Sequence, residues 1–130
     1  MELMTKVDDA AAFQGMRVLV AEDETLVSMM LEEMLEDLGC ETVGTHATLE
    51  SALVASRADD FDVALIDMNL CGESAEPIVA ELSARAIPFA IASGADAALT
   101  RPSGGIVLGK PYGFDQLRDT LKALQVALRQ

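Results

Sequence analysis

From Arg17 onward, short apolar runs alternate with helical patterns. The clearest runs are residues 18–21, 63–66, 89–92 and 106–108. None alternates polar with apolar positions, so each predicts a strand buried on both faces of a parallel sheet. A weaker run, 41–45, predicts an edge strand. The intervening segments predict helices. Val27, Met30, Leu31, Met34 and Leu38 fall on one face at helical spacing, with Glu32, Glu33, Glu36 and Asp37 elsewhere. The methionines on that face read as core filling, and Gly39 suits the position just past the helix end. Thr48 is placed to cap a helix running to about Ala58, and Ser74 one running to about Arg85, which Pro88 stops. Phe114, Leu117, Leu121, Leu124 and Leu128 stripe a last helix. The fourth helix is short: only 95–100 precedes Pro102, Gly104 and Gly105. Residues 1–15 show no period and read as a loose or weakly helical extension before a domain at 16–130. Five strands alternating with five helices predict an α/β fold, a parallel sheet covered on both faces through right-handed crossovers.

A length of 130 residues fits one domain. Apolar residues make up 51% and aromatics only 4%, so the core must be aliphatic. The formal charge of -13 is unevenly spread: residues 1–81 carry 19 acids and 3 bases, residues 82–130 carry 3 acids and 6 bases. Such a chain repels phosphate backbones and lacks the basic patch that anionic membranes attract, which excludes nucleic-acid and membrane-surface binding. No apolar run is long enough to span a bilayer, and the N-terminus lacks the apolar core of a secretory signal. Cys40 and Cys71 have no CxxC partner and no companion histidines, so they suit a reducing cytoplasm rather than a zinc site or disulfide framework. His46 stands alone and reads as structural.

The polar residues that follow each strand carry the chemistry. Glu22 and Asp23 follow the first strand and Asp67 the third; the fourth ends at Ser93, and the fifth runs into Lys110-Pro111. In an open parallel sheet all of these lie on the carboxyl edge, where such folds place their sites. If strands one and three are neighbours, three carboxylates converge. They repel one another unless a cation sits among them, and their oxygens suit a hard ion such as Mg²⁺. The loop Ala21-Glu22-Asp23-Glu24 excludes a dinucleotide site, which needs glycines there, and Gly109-Lys110-Pro111 lacks the rest of a phosphate-binding loop. A Ser–His–Asp hydrolase has no nucleophile elbow. Taken singly, Ser93 is an ordinary strand-end hydroxyl, Lys110 a surface charge and Asp67 a helix cap.

Taken together, VLVAED (18–23), LIDMNL (65–70), ASG (92–94) and LGKP (108–111) resemble the receiver domain of bacterial two-component response regulators over about residues 16–129. The resemblance implies a flavodoxin-like doubly wound sheet of order 2-1-3-4-5. It implies a phospho-acceptor, Asp67, served by a histidine kinase or a histidine phosphotransfer protein, rather than an enzyme. Asp23 and Asp67 would ligate Mg²⁺ directly, Glu22 through water, and the Asn69 backbone carbonyl would complete the set. Lys110 would pair with Asp67 and later with a phosphoryl oxygen. Ser93 would donate its hydroxyl to that oxygen, and Gly94 would leave room for the donor. A cis bond before Pro111 would aim Lys110 inward. The expected signalling surface is the face of the fourth helix, fifth strand and fifth helix.

One departure stands out. Most receivers carry an aromatic three residues before the lysine; this chain has Val107. The run PFAIASG (88–94) resembles the "FAT GUY" receivers, which implies a kinase of the HWE or related class and suggests that phosphorylation orders residues 95–105. With no output domain expected, signalling would run through partner binding or phosphotransfer. Two other readings compete. A haloacid-dehalogenase-type phosphohydrolase also uses an aspartate nucleophile, but wants a second aspartate where Asn69 stands. A degenerate receiver acting only as a binding module would not need Glu22, Asp23, Asp67, Ser93 and Lys110 intact.

Overall fold

The computed structural model describes residues 13–58, 60–93 and 105–129. Its elements are β1 (Arg17–Ala21), α1 (Thr25–Asp37), β2 (Glu41–His46), α2 (Leu49–Ala58), β3 (Val63–Asp67), β4 (Asn69–Leu70), β5 (Glu73–Ser74), α3 (Glu76–Ala84), β6 (Phe89–Ser93), β7 (Ile106–Gly109) and α4 (Phe114–Leu128). Five strands form a parallel sheet in the order β2-β1-β3-β6-β7. Leaving out the two short strands β4 and β5, this is the 2-1-3-4-5 order of a flavodoxin-like doubly wound fold. The predicted fourth helix, 95–100, lies outside the described residues.

The central strands are continuous apolar runs because both of their faces are covered. In β1, Val18 and Val20 face one layer, and Leu19 and Ala21 the other; in β3, Val63 and Leu65 alternate likewise with Ala64 and Ile66. The first layer is built by Leu31 and Leu35 of α1 and Leu38 just past its end, with Leu117, Leu121 and Leu124 of α4. The second is built by Ala52 and Ala55 of α2 with Ile78, Val79 and Leu82 of α3. Strand β2 sits at the sheet edge and is only half-buried, as its weaker pattern predicted.

Three local expectations change. On α1 the buried residues are Leu31 and Leu35, with Leu38 buried just past its end, while Met30 is 57% exposed. One residue turns a helix by about 100°, so this modest rotation takes Met30 out of the core. Met30 is therefore not core filling, whereas Met34 is half-buried and packs against the layer. Phe13, read as part of a loose extension, is fully buried beside α1 and α4, and the Gly15 N–H reaches the Gly39 carbonyl at 3.0 Å. Ser74 does not cap α3: Ala75 holds that position, and the Ser74 hydroxyl accepts the Glu76 N–H at 3.2 Å from one residue earlier. Thr48 does cap α2, its hydroxyl accepting the Ser51 N–H at 3.1 Å.

Candidate functional site

Strand order assembles the site. Because β1 and β3 are hydrogen-bonded neighbours, with Ala21 opposite Ile66, the residues that follow each strand come together. Ligand oxygens of Glu22, Asp23 and Asp67 lie within 4.8 Å of one another. Glu22 and Asp67 are buried, at 4% and 8% exposure, and Asp23 is half-buried.

Each carboxylate has a local anchor. Glu22 Oε2 accepts the Glu24 N–H at 3.0 Å, and Asp67 Oδ1 accepts the Asn69 N–H at 3.0 Å. Asp23 Oδ2 accepts the Cys71 N–H at 2.8 Å. Cys71 and Gly72 form the two-residue turn between β4 and β5, both with positive φ, 53° and 84°. That left-handed pair is the hairpin geometry glycine favours, so Cys71 carries a backbone cost there. The Asn69 side-chain oxygen accepts the Gly72 N–H at 2.8 Å and braces the same turn.

Lys110, arriving from β7, is the cation among these acids. Its Nζ lies 2.7 Å from Asp67 Oδ2 and 3.2 Å from Glu22 Oε1. Its backbone N–H donates to the Ser93 carbonyl at 2.7 Å, which ties the end of β7 to the end of β6. The Lys110–Pro111 peptide is cis. Burial disfavours the Lys110 ammonium, but the hydrogen bonds and charges of Asp67 and Glu22 outweigh it and hold the pKa above its ordinary value. Burial likewise lifts Glu22, with the Asp67 charge adding to the effect and Lys110 and the Glu24 N–H opposing it. Three carboxylates against one ammonium leave an excess of negative charge that a divalent cation with hard oxygen preference fits.

The other expected residues fall as follows. Ser93 ends β6 opposite Gly109, half-buried. Val107 is half-buried in β7 opposite Ile91. Gly94 lies outside the described residues. His46 Nδ1 shares a 2.6 Å hydrogen bond with Ser51 Oγ. Cys40 is buried and Cys71 exposed, both free. Among the described residues no helix is long and apolar enough to cross a membrane.

The sequence reading passed over Tyr112. It lines the inner space beside Glu22 and Asp67, and also an apolar groove of about 330 Å³ with Val27, Met30, Met34 and Pro111. Burial pushes its phenol up to about 12, helped by the Glu22 and Asp67 charges. Its place two residues after Lys110, as the chain's one tyrosine, was the available signal.

Comparison with known proteins agrees with this geometry. A family model, the response regulator receiver domain, matches residues 18–122. The solution structure of SdrG from Sphingomonas melonis Fr1 is 38% identical, with a TM-score of 0.75, covering 85% of this chain and 97% of that one. The receiver domain of the sensor histidine kinase PA1611 from Pseudomonas aeruginosa PAO1, with a magnesium ion coordinated in its active-site cleft, is 21% identical. It covers 89% of this chain and 99% of that one, with a TM-score of 0.74, a likeness of fold. The sensory/regulatory protein RpfC of Xanthomonas campestris pv. campestris is 28% identical over 92% of this chain. The chain spans only 18% of that longer relative.

Proposed function

The chain belongs to the response regulator receiver family, and from that premise we propose that it takes a phosphoryl group onto Asp67 from a histidine kinase or histidine phosphotransfer protein. It uses Mg²⁺ and signals by phosphorylation-dependent partner binding or by passing the group on. The observation that carries this reading is the Lys110 ammonium held 2.7 Å from Asp67 and 3.2 Å from Glu22 at the mouth of three converging carboxylates. A lone buried aspartate needs no such surroundings; an aspartate that must carry a dianionic phosphoryl group does.

In the step, an Asp67 carboxylate oxygen attacks phosphorus. An O–P bond forms as the N–P bond of the phosphohistidine breaks, and the departing imidazole nitrogen keeps the electron pair. Such transfers depend on in-line positioning and charge neutralisation more than on acid–base groups. Asp23 and Asp67, the Asn69 backbone carbonyl and, through water, Glu22 are assigned to hold Mg²⁺. When bound, the ion supplies neutralisation of the transferred oxygens. Lys110 moves from the carboxylate to a phosphoryl oxygen, and Ser93 donates its hydroxyl to the same group. Gly94 leaves room for the donor, and Val107 and Pro111 flank the switch. The partner surface is assigned to β7 and α4 with the segment between β6 and β7. A cytoplasmic setting agrees with two free cysteines.

Incubation with acetyl phosphate and Mg²⁺ tests the reading. An acid-stable, base-labile acyl phosphate on Asp67, absent from Asp67→Asn, is expected. Multiple turnover of a phosphomonoester would instead make the protein a phosphohydrolase. No label under any condition would leave a binding module.

A further inference from the structure

The carboxylate oxygens of the acid site are unequally engaged. Glu22 Oε1 and Asp67 Oδ2 face the Lys110 ammonium, while Glu22 Oε2 and Asp67 Oδ1 accept the Glu24 and Asn69 N–H groups. Asp23 Oδ2 accepts the Cys71 N–H, and Asp23 Oδ1 accepts no hydrogen bond among the described residues. Asp23 is also the acid with somewhere else to turn. Glu22 and Asp67 are buried, whereas Asp23 is half-buried and borders a cavity of about 260 Å³ lined as well by Thr25, Ser28 and Glu32 of α1. The Thr25 and Ser28 hydroxyls are donors available to a carboxylate left unheld. Among the described residues, a single hydrogen bond holds the Asp23 side chain, and it comes from the turn between β4 and β5.

Resting on the phospho-acceptor reading above, we propose that the β4–β5 turn is a positioning element for Mg²⁺: the Cys71 N–H keeps the Asp23 carboxylate beside Glu22 and Asp67, with Oδ1 left open to the ion. The hairpin is rooted in the site it serves. Asn69 gives its N–H to Asp67 Oδ1, and its side-chain oxygen accepts the Gly72 N–H. Leu70 between them is fully buried. The left-handed backbone at Cys71 and Gly72, with φ of 53° and 84°, lets the Cys71 N–H reach back to the residue after Glu22. The Cys71 thiol donates to the Ala47 carbonyl at 3.5 Å, so the turn also rests on the segment that follows β2. One short hairpin thus links the segments that follow three adjacent strands, β2, β1 and β3. Left-handed backbone is strained for any residue but glycine, and here the strain falls where an N–H meets a metal ligand. Groups that hold a ligand from behind fix its orientation, and their loss typically weakens metal binding by roughly 10–100-fold.

The N–H can be removed by itself. Cys71→Ala keeps it; the same chain carrying lactic acid at position 71 has an ester in place of that amide and lacks the donor. Gly72→Val reaches the turn without synthesis. Gly72 is exposed and an added Cβ meets no atom within 4 Å, so the change acts through its φ of 84°, which a β-branched residue resists. Full-length protein is titrated with Mg²⁺ by calorimetry, and urea melts in EDTA follow the fold. Cys71→Ala should bind the ion as the parent does, and the ester and Gly72→Val should each bind it roughly tenfold more weakly. A turn that only braces the fold would lower the urea midpoint and leave the Mg²⁺ constant alone, which overturns the proposal. A loss already present in Cys71→Ala would assign the effect to the thiol and overturns it too. In ¹⁵N-labelled protein, Asp23→Ala should move the Cys71 amide proton upfield, because it loses a charged acceptor; an unmoved resonance overturns the contact itself. Mass spectrometry of the parent with acetyl phosphate is read separately. Weakened Mg²⁺ binding in the variants with no acyl phosphate on the parent keeps the role of the turn and overturns the phospho-acceptor reading. An acyl phosphate with unchanged Mg²⁺ constants does the reverse.

Discussion

At each end of the sheet, one cation is shared by two carboxylates. At the amino end, Arg17 reaches Asp60 at 2.8 Å and Asp62 at 3.4 Å. At the carboxyl end, Lys110 reaches Asp67 at 2.7 Å and Glu22 at 3.2 Å. The distances are alike but the surroundings are not. The Asp60 side chain is 84% exposed, whereas Glu22 and Asp67 keep only 2% and 10%. Water screens the first cluster and already satisfies its charges. The second is largely buried, and Asp23 adds a third acid that forms no ion pair with Lys110. The same chemical triad is a surface fastening in one place and a store of unbalanced charge in the other. Only the second can be relieved by a cation or exploited by a phosphoryl group.

The sharpest way to break this contrast is to remove the two cations in turn. Lys110→Met should destabilise the metal-free protein by about 3 kcal/mol, since two buried carboxylates lose their partner. Mg²⁺ should restore part of that by binding the folded state alone. Urea melts with and without the metal check both. Arg17→Gln should leave the melt essentially unchanged.

The amino end has its own buried titratable group, and it is neutral. Burial pushes the Cys40 thiol from 9.0 up to about 11. The unfolded thiol ionises first, so the native state holds more protons between those values, and stability falls as pH rises from 9 to 11. A shift of that size corresponds to at most about 3 kcal/mol. The loss should be missing from Cys40→Ala, read as the difference in slope between the two proteins.

Asp67→Asn should raise metal-free stability by about 1 kcal/mol, because it removes one of three converging charges while its amide oxygen still accepts from Lys110. A lower midpoint would mean that the Lys110 pair outweighs the repulsion. At the small end, Asp60→Asn should change nothing beyond a weak salt dependence.

Much of the site was legible because its residues stand immediately after strands, and strands buried on both faces are visible as unbroken apolar runs. Glu22, Asp23, Asp67, Ser93 and Lys110 could each be placed on one edge from that rule alone. The strand order reached the reading only through resemblance. Other features were hidden for physical reasons. Val27, Met30 and Met34 satisfy a helical period as well as Leu31, Leu35 and Leu38 do, and only the sheet and α4 decide which stripe turns inward. Phe13 has no periodic neighbours, so its burial could not be read from pattern. Cys71 occupies a turn position that glycine or asparagine would have signalled. Tyr112 lines two spaces that exist only after β7 and α1 have packed.

By itself, then, the sequence determined the alternation of strands and helices, the aliphatic core and the side chains available at each strand end. These follow from local period and composition. Tertiary structure alone decided that Asp67 and Lys110, 43 residues apart, and Glu22 and Lys110, 88 apart, would share hydrogen bonds. It also decided which acids would be buried and which exposed. Pairing of β1 with β3 and of β6 with β7 is non-local, and desolvation is a property of what surrounds a charge rather than of the residue that bears it.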